Sequence, residues 1–359
     1  MRNRLEKLDF ESLAGWIEDD HLAALAAFRR SAEALAEGKD SPRLAEPASP
    51  ELVATARAAL CPDIATDGQA RRFFETRFRP FRVVPDKGAG FLTGYYEPCV
   101  AASKVETEEF GWPILGRPSD LVTFGLDAAP AGFPTSVSGA RRLGDGSLAP
   151  YPDRAAIEAE RRGPIVWVRD AVEAFLIQVQ GSAQVEFADH RRARLAYDGR
   201  NGLPYTSIGR ILIDTGEIAA SDMSLKSLKT WLRQDRERGL ALMRRNRSFV
   251  FFRLIDDFDP GLGPIAGAGV ALTPLRSIAV DRSLWAYGLP FWMDAELPWV
   301  DETPRPFRRL MIAQDTGSAI VGPARGDLFF GGGEEAGARA GAIRCPAEFV
   351  VLLPHGENP

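Results

Sequence analysis

Leu310-Met-Ile-Ala-Gln-Asp315-Thr-Gly-Ser-Ala-Ile-Val-Gly-Pro-Ala-Arg-Gly-Asp327-Leu-Phe-Phe-Gly-Gly-Gly333 holds two short apolar runs, each carrying an aspartate at one end and broken by Gly or Pro. Runs this short, bounded by turn residues, read as strands rather than helices. The same texture recurs on both sides, at Phe249-Val-Phe-Phe-Arg253, Ala279-Val280, Phe291-Trp-Met293 and Phe349-Val-Val-Leu-Leu353. The spacing is irregular and no repeat of roughly 20–50 residues is visible; these strands predict a compact barrel. With 34 Gly and 26 Pro the chain is too rich in chain-breaking residues for a helical bundle.

Further out the texture changes. Leu22–Ala36 places Leu25, Phe28, Ala32 and Leu35 at spacings of three and four, one helical face. Two more helices are expected at Glu51–Leu60 and Gln69–Phe78, before a strand at Phe81-Arg-Val-Val84. Residues from about 104 to 152 read as loop-heavy. Asp153 is placed to cap a helix over 154–160, and Ile165-Val-Trp-Val168 to form a strand. The apolar run Val172–Val179 leads into Gln180-Gly-Ser182, and Ala183–Phe187 with Ala193–Tyr197 alternates as a hairpin. Asn201-Gly202 opens a turn, and Ile208–Asp214 fits helix or strand. Ser224–Arg238 reads as one amphipathic helix with Leu225, Leu228, Trp231 and Leu232 on its apolar face; Lys226, Lys229, Arg233 and Arg236 form a solvated face. The whole is mainly β with N-terminal helices, an α+β chain of 359 residues, long enough for two domains.

Composition removes several function classes. A formal net charge of −5 argues against nucleic-acid binding, which needs a basic stripe. No run of about 18 apolar residues is available to span a membrane. Met1–Lys7 is basic enough to begin a signal peptide, yet Asp9, Glu11, Glu18, Asp19 and Asp20 follow where an apolar stretch belongs. Export is then signalled another way, a leader has been removed, or the start is misassigned. Cys61, Cys99 and Cys345 are too few for a disulfide framework, and with three His they lack metal-ligand spacing, so neither metal nor cofactor is expected.

Asp315 and Asp327 are the candidate chemistry. A carboxylate at a strand end, backed by apolar side chains, loses hydration; a second carboxylate nearby adds repulsion, and both raise the pKa. Such an acid keeps its proton near neutrality and can serve as a general acid. Asx-turns beside glycine are the structural alternative. Asp315-Thr-Gly317 together with Asp214-Thr-Gly216 also suggests an aspartic protease, whose paired aspartates share a proton. The contexts differ: Asp214-Thr-Gly216 reads as a helix end with Gly216 at C′.

Thr93-Gly-Tyr-Tyr-Glu-Pro98, Gln180-Gly-Ser182, Gly199-Arg-Asn-Gly-Leu-Pro-Tyr205, Ser207-Ile-Gly-Arg210, Ser277-Ile-Ala-Val-Asp281, Ala313-Gln-Asp-Thr-Gly317, Gly326-Asp327 and Glu335-Ala-Gly337 occur in an order that resembles the membrane-bound lytic transglycosylase A family from about residue 80 onward. The resemblance implies a double-psi β-barrel from residues 1–102 and 248–359, with a smaller β domain, 103–247, inserted as the other wall of a glycan groove. It implies cleavage of the β-1,4 bond between N-acetylmuramic acid and N-acetylglucosamine in peptidoglycan. The muramoyl C6 hydroxyl attacks its own C1, leaving a 1,6-anhydro ring. It places the catalytic acid on Asp327, with Asp315 as the neighbour that holds it. Candidate substrate contacts are Gly94, Tyr95, Tyr96, Gln180, Ser182, Asn201, Tyr205, Thr316 and Gly317. Asp281 is a further member whose alternative is a strand-end turn, and nothing in the sequence assigns a role to Glu97. The implied partner is the glycan strand, with other cell-wall enzymes beyond it. The implied location is the periplasm; family members are often outer-membrane lipoproteins, but the first Cys here is Cys61, so membrane attachment has no support in this sequence. A non-catalytic glycan-binding protein is the third reading.

Overall fold

The expected strand texture resolves, in a computed structural model describing residues 4–85, 88–124, 129–134, 136–301 and 303–357, into 17 strands and nine α-helices among those residues. Of the basic N-terminal run, the first three residues lie outside the described set; Arg4–Lys7 is strand β1. Helices α1 (His21–Glu37), α2 (Pro50–Ala59) and α3 (Asp67–Arg77) follow, then β2 (Phe78–Val84), β3 (Gly90–Glu97) and β4 (Cys99–Ala101). Next come β5 (Trp112–Leu115), β6 (Leu121–Thr123), β7 (Gly139–Arg142), β8 (Leu148–Pro150), α4 (Arg154–Glu160), β9 (Pro164–Val168), α5 (Ala171–Gln180), β10 (Ser182–Glu186) and β11 (Arg192–Arg200). The chain continues through α6 (Ile208–Asp214), α7 (Leu225–Gln234), α8 (Arg236–Arg245), β12 (Val250–Ile255), β13 (Ser277–Ala279), β14 (Pro290–Leu297), β15 (Arg305–Asp315), β16 (Arg325–Gly332), α9 (Glu334–Ala342) and β17 (Arg344–Pro354). Two units emerge: unit 1, Met1–Tyr96, Pro260–Gly331 and Glu335–Pro359; and unit 2, Glu97–Asp259 and Gly332–Glu334.

Unit 1 is the barrel. Its strands run β17-β14-β15-β13-β16-β3, and β3 pairs back onto β17, so six strands close on themselves, as a double-psi barrel requires; β1 and β2 extend from β17. Closure removes the free edges that an open sheet would expose. Trp292, Phe291, Phe307, Phe349, Ile312 and Val351 are almost fully buried in this unit. The N-terminal helices are locally encoded. Asp20 accepts from Ala23 N at the start of α1, Gly38 ends it with φ 65°, Ser49 and Pro50 open α2, and Thr66 with Gln69 forms a capping box on α3. What fixes α1 to the barrel is long-range. Asp19 and Arg276 form a buried bidentate pair at 2.7 and 2.8 Å, and Leu310 N also donates to Asp19. Gln314 on β15 donates to Ala27 O and to Ser31 Oγ on α1.

Unit 2 mixes small sheets with helices. Its main sheet runs β12-β11-β10-β4, and β10 with β11 forms the expected hairpin from Ser182↔Ala196 to Glu186↔Arg192. Residues 104–152, read as loop, hold β5 and the three-stranded sheet β6-β7-β8; strands of three or four residues are too short to show alternation. Asp153 caps α4 as expected, accepting from Ala156 N. The single helix expected over Ser224–Arg238 is two, because Asp235 turns to φ −140° and caps α8 through Arg238 N. Gly239 then lies so close to Leu232 that a Cβ there would sit 2.2 Å from its carbonyl oxygen. The apolar face survives the break: Leu225, Leu228 and Trp231 pack with Leu232, Ile208, Leu212 and Met243. At the Asn201-Gly202 turn, Gly202 has φ 83° and a Cβ would meet Gly139 N at 2.0 Å. Gly202→Ala is therefore expected to cost about 3 kcal/mol, from backbone strain plus overpacking, read as a lower urea midpoint.

Candidate active site

The register of unit 1 brings the two aspartates together. Strand β13 is three residues long and lies between β15 and β16. Its Ala279 pairs with Asp315 on one side, across a register shift, and with Asp327 on the other. Residues paired across strands share a sheet face, so both carboxyls project the same way, their Cα atoms two strand spacings, or roughly 10 Å, apart.

Strand β3 supplies a hydroxyl to each. Thr93 Oγ1 donates to Asp327 Oδ1 at 2.6 Å and Tyr95 Oη donates to Asp315 Oδ2 at 3.0 Å. Two residues apart on a strand, they fall on one face. The Tyr95 ring lies 5.3 Å from that of Phe329, itself two residues beyond Asp327. Gly94, between them, and Tyr96, the next residue on, face the other way, under α9. A Cβ on Gly94 would meet Ala340 at 2.8 Å, and Gly337 is tight against the Tyr96 ring. Asp315 Oδ1 also accepts from Gly267 N at 3.0 Å.

These surroundings set the protonation. Burial pushes the Asp327 carboxyl up to about 6; the Arg325 charge and the Thr93 hydrogen bond oppose this, and Asp315 adds a smaller upward push. Arg325 Nη2 donates to Thr93 Oγ1 at 2.8 Å, so arginine, threonine and aspartate form a chain. Burial, then the charges of Asp315 and Asp327, hold the Tyr95 phenol well above its ordinary value, so it stays a donor. Asp327 is thus a half-buried acid that carries its proton near pH 6 and can both give and take one.

The remaining sequence candidates divide between the units. In unit 1, Thr316 is buried and its carbonyl accepts from Arg43 Nη1 at 2.7 Å; Gly317 lies against Ile320. Asp281 is buried with its oxygens taken: Oδ1 by Ser283 N and Oγ, Oδ2 by Gly322 N. In unit 2, Gln180 ends α5 and is half-buried, Ser182 is buried at the start of β10, and Tyr205 is half-buried. Burial raises the Tyr205 pKa against a hydrogen bond with Ser207. Asn201 is fully buried: its amide donates to Pro152 O and Arg247 O and accepts from Phe249 N. Glu97, without a role in the sequence, is buried in unit 2 and ion-paired to Arg194. Asp214 is exposed at the end of α6, 2.8 Å from Arg210 one turn earlier, with Gly216 at φ 74° beyond it. That is the predicted helix end, and it gives Asp214 none of the desolvation a proton-sharing dyad needs.

Residues 91–253 match the description "MltA specific insert domain" and residues 276–353 the "3D domain". The crystal structure of membrane-bound lytic murein transglycosylase from Agrobacterium tumefaciens is 37% identical, covers 98% of this chain and is itself covered to 97%, with a TM-score of 0.88. The chain belongs to the MltA family. An MltA structure from Neisseria gonorrhoeae is 28% identical, with coverage of 99% and 94% and a TM-score of 0.79. Membrane-bound lytic murein transglycosylase A of Escherichia coli K12 is 32% identical over 261 residues, 70% of this chain and 62% of that protein. The Vibrio cholerae protein of the same name is 31% identical over 260 residues, 71% and 63%. The chain therefore spans about three-fifths of the length of these curated MltA relatives. Among the described residues no helix is long and apolar enough to cross a membrane.

Proposed function

We propose that this chain is a peptidoglycan lytic transglycosylase acting in the periplasm, with Asp327 as general acid and then base. The observation that carries this is the Asp327 carboxyl, held up to about 6 by burial and bonded to Thr93. In the first half-reaction the glycosidic C1–O4 bond breaks and Asp327 gives its proton to O4. The muramoyl O6 then bonds to C1, and its proton returns to Asp327. No water is consumed, which is why one acid serves where hydrolytic glycosidases need two carboxyls. The attacking hydroxyl belongs to the substrate, so its effective concentration is already high. Asp315, held by Tyr95 and Gly267, is the second carboxyl beside the acid, oriented on the face where the substrate's charge would develop.

The barrel contacts proposed for the glycan are Tyr95, Thr316 and Gly317; Gln180, Ser182 and Tyr205 are proposed from unit 2. Gly94, Tyr96, Asn201 and Asp281 act in this reading by shaping the strand and loops around them. Other cell-wall enzymes are the partners to seek. Mass analysis of muropeptides tests the reaction: anhydro ends are lighter than hydrolysed ends by one water, and accumulation of reducing ends would overturn it. Removing the Thr93 hydroxyl removes a bond that favours ionised Asp327. Thr93→Val is thus expected to move the alkaline limb of the rate profile up from near pH 6 by about one unit.

A further inference from the structure

Tyr287 carries a buried polar atom that the proposed reaction does not use. It is 6% exposed, and its hydroxyl has no hydrogen-bond partner among the described residues. A phenol hydroxyl left unpaired in an interior is costly, and interiors rarely keep one without use. The ring sits with Ala268 and Val270, while the hydroxyl points at Gly267. A Cβ built on Gly267 would lie 2.6 Å from Tyr287 Oη and 3.2 Å from Asp315 Oδ1. The phenol oxygen and the carboxylate oxygen therefore lie close together beside the Gly267 α-carbon, an approach that a side chain at this position would block. Burial, then the Asp315 charge, keeps the phenol protonated and able to donate.

From this geometry we infer that Tyr287 is a positioning residue for Asp315, its hydroxyl donating to Oδ1 beside the Gly267 α-carbon, directly or through one bound water. The carboxylate is then held from three sides: Tyr95 on β3, the Gly267 amide, and Tyr287. The other charged groups around this cluster are Asp327 on β16, Arg43 and Arg282. The inference rests on the proposed reaction, since it gives Asp315 a reason to be held.

Tyr287→Phe tests it, assayed on soluble glycan strands with anhydro products counted by mass. Expected is a fall in kcat of about tenfold with KM unchanged and no gain in thermal midpoint, since a used hydrogen bond is lost. Wild-type kcat, or a fall in kcat accompanied by a raised midpoint, overturns the assignment: the hydroxyl was then an unpaired cost, and any loss came from repacking. If the wild-type protein itself releases no anhydro ends, it is the proposed reaction that fails; the two failures are told apart by the control.

Discussion

Asp327→Asn is expected to lower anhydro-muropeptide release by about a thousandfold, within the range for loss of a positioned general acid, and to make the protein more stable above pH 6. The second half follows from linkage. The folded carboxyl, at about 6, lies above its unfolded value of roughly 3.9. The folded state therefore binds the proton more tightly. That contribution is fully present below about pH 4 and is lost as the pH rises through about 6. Above that, ionised Asp327 costs the fold on the order of 2–3 kcal/mol. Asparagine removes the charge while its carbonyl can still accept from Thr93. The difference in unfolding free energy between variant and wild type should grow from pH 4 to pH 8, measured by urea titration at each pH. A difference that stays constant over that range would show that burial does not hold the proton on Asp327. A residue placed for chemistry at the expense of stability should show this opposition, whereas an Asx-turn aspartate, whose turn asparagine also forms, would show no gain that grows with pH.

The parts of this molecule legible in its sequence are those with local causes. Asp153 before a helix-forming run, Gly216 after one, and the alternation in Ala183–Phe187 each report on neighbours a few residues away, and each is found where expected. The strand character of 310–315 and 327–331 was readable for the same reason. The strand order that closes the barrel was not, because it depends on β3 pairing with β17, some 250 residues on, and apolar pattern carries no register over that distance. The candidate site divides likewise. Asp315 and Asp327 stand out by their place at the ends of apolar runs. That both flank Ala279 depends on a three-residue strand between them. Thr93 and Arg325 lie inside quoted motifs, yet only the β3–β16 adjacency shows them acting on one carboxyl. Arg43, Gly267 and Tyr287 have no sequence signal at all. The helix break at Asp235 was missed because the apolar spacing continues across it, and the periodicity of one face does not register a cap.

Arg194→Met is expected to destabilise unit 2 by about 3–5 kcal/mol, and Glu97→Leu in the same chain to recover most of that loss. Glu97 is 1% exposed and accepts from Arg194 Nε at 2.8 Å, Arg194 Nη2 at 2.9 Å and Gln184 Nε2 at 3.0 Å. The guanidinium also stacks 4.3 Å from the centre of the Phe258 ring. Each charge is removed from water only because the other meets it in a two-pronged geometry that satisfies both. Methionine keeps the unbranched apolar stem of arginine without its guanidinium, so the stem's packing is retained, while the carboxylate is left buried with one amide donor. The single variant therefore measures the cost of an unmatched charge. Replacing both partners removes that charge, and exchanges of this kind are often neutral or better. Urea midpoints of the two single variants and the double variant complete the cycle. A double variant as unstable as Arg194→Met would place the loss in the shape of the side chains and not in their charge. Recovery would identify Glu97 as an internal counter-charge that ties the first residues of unit 2 to β10 and β11.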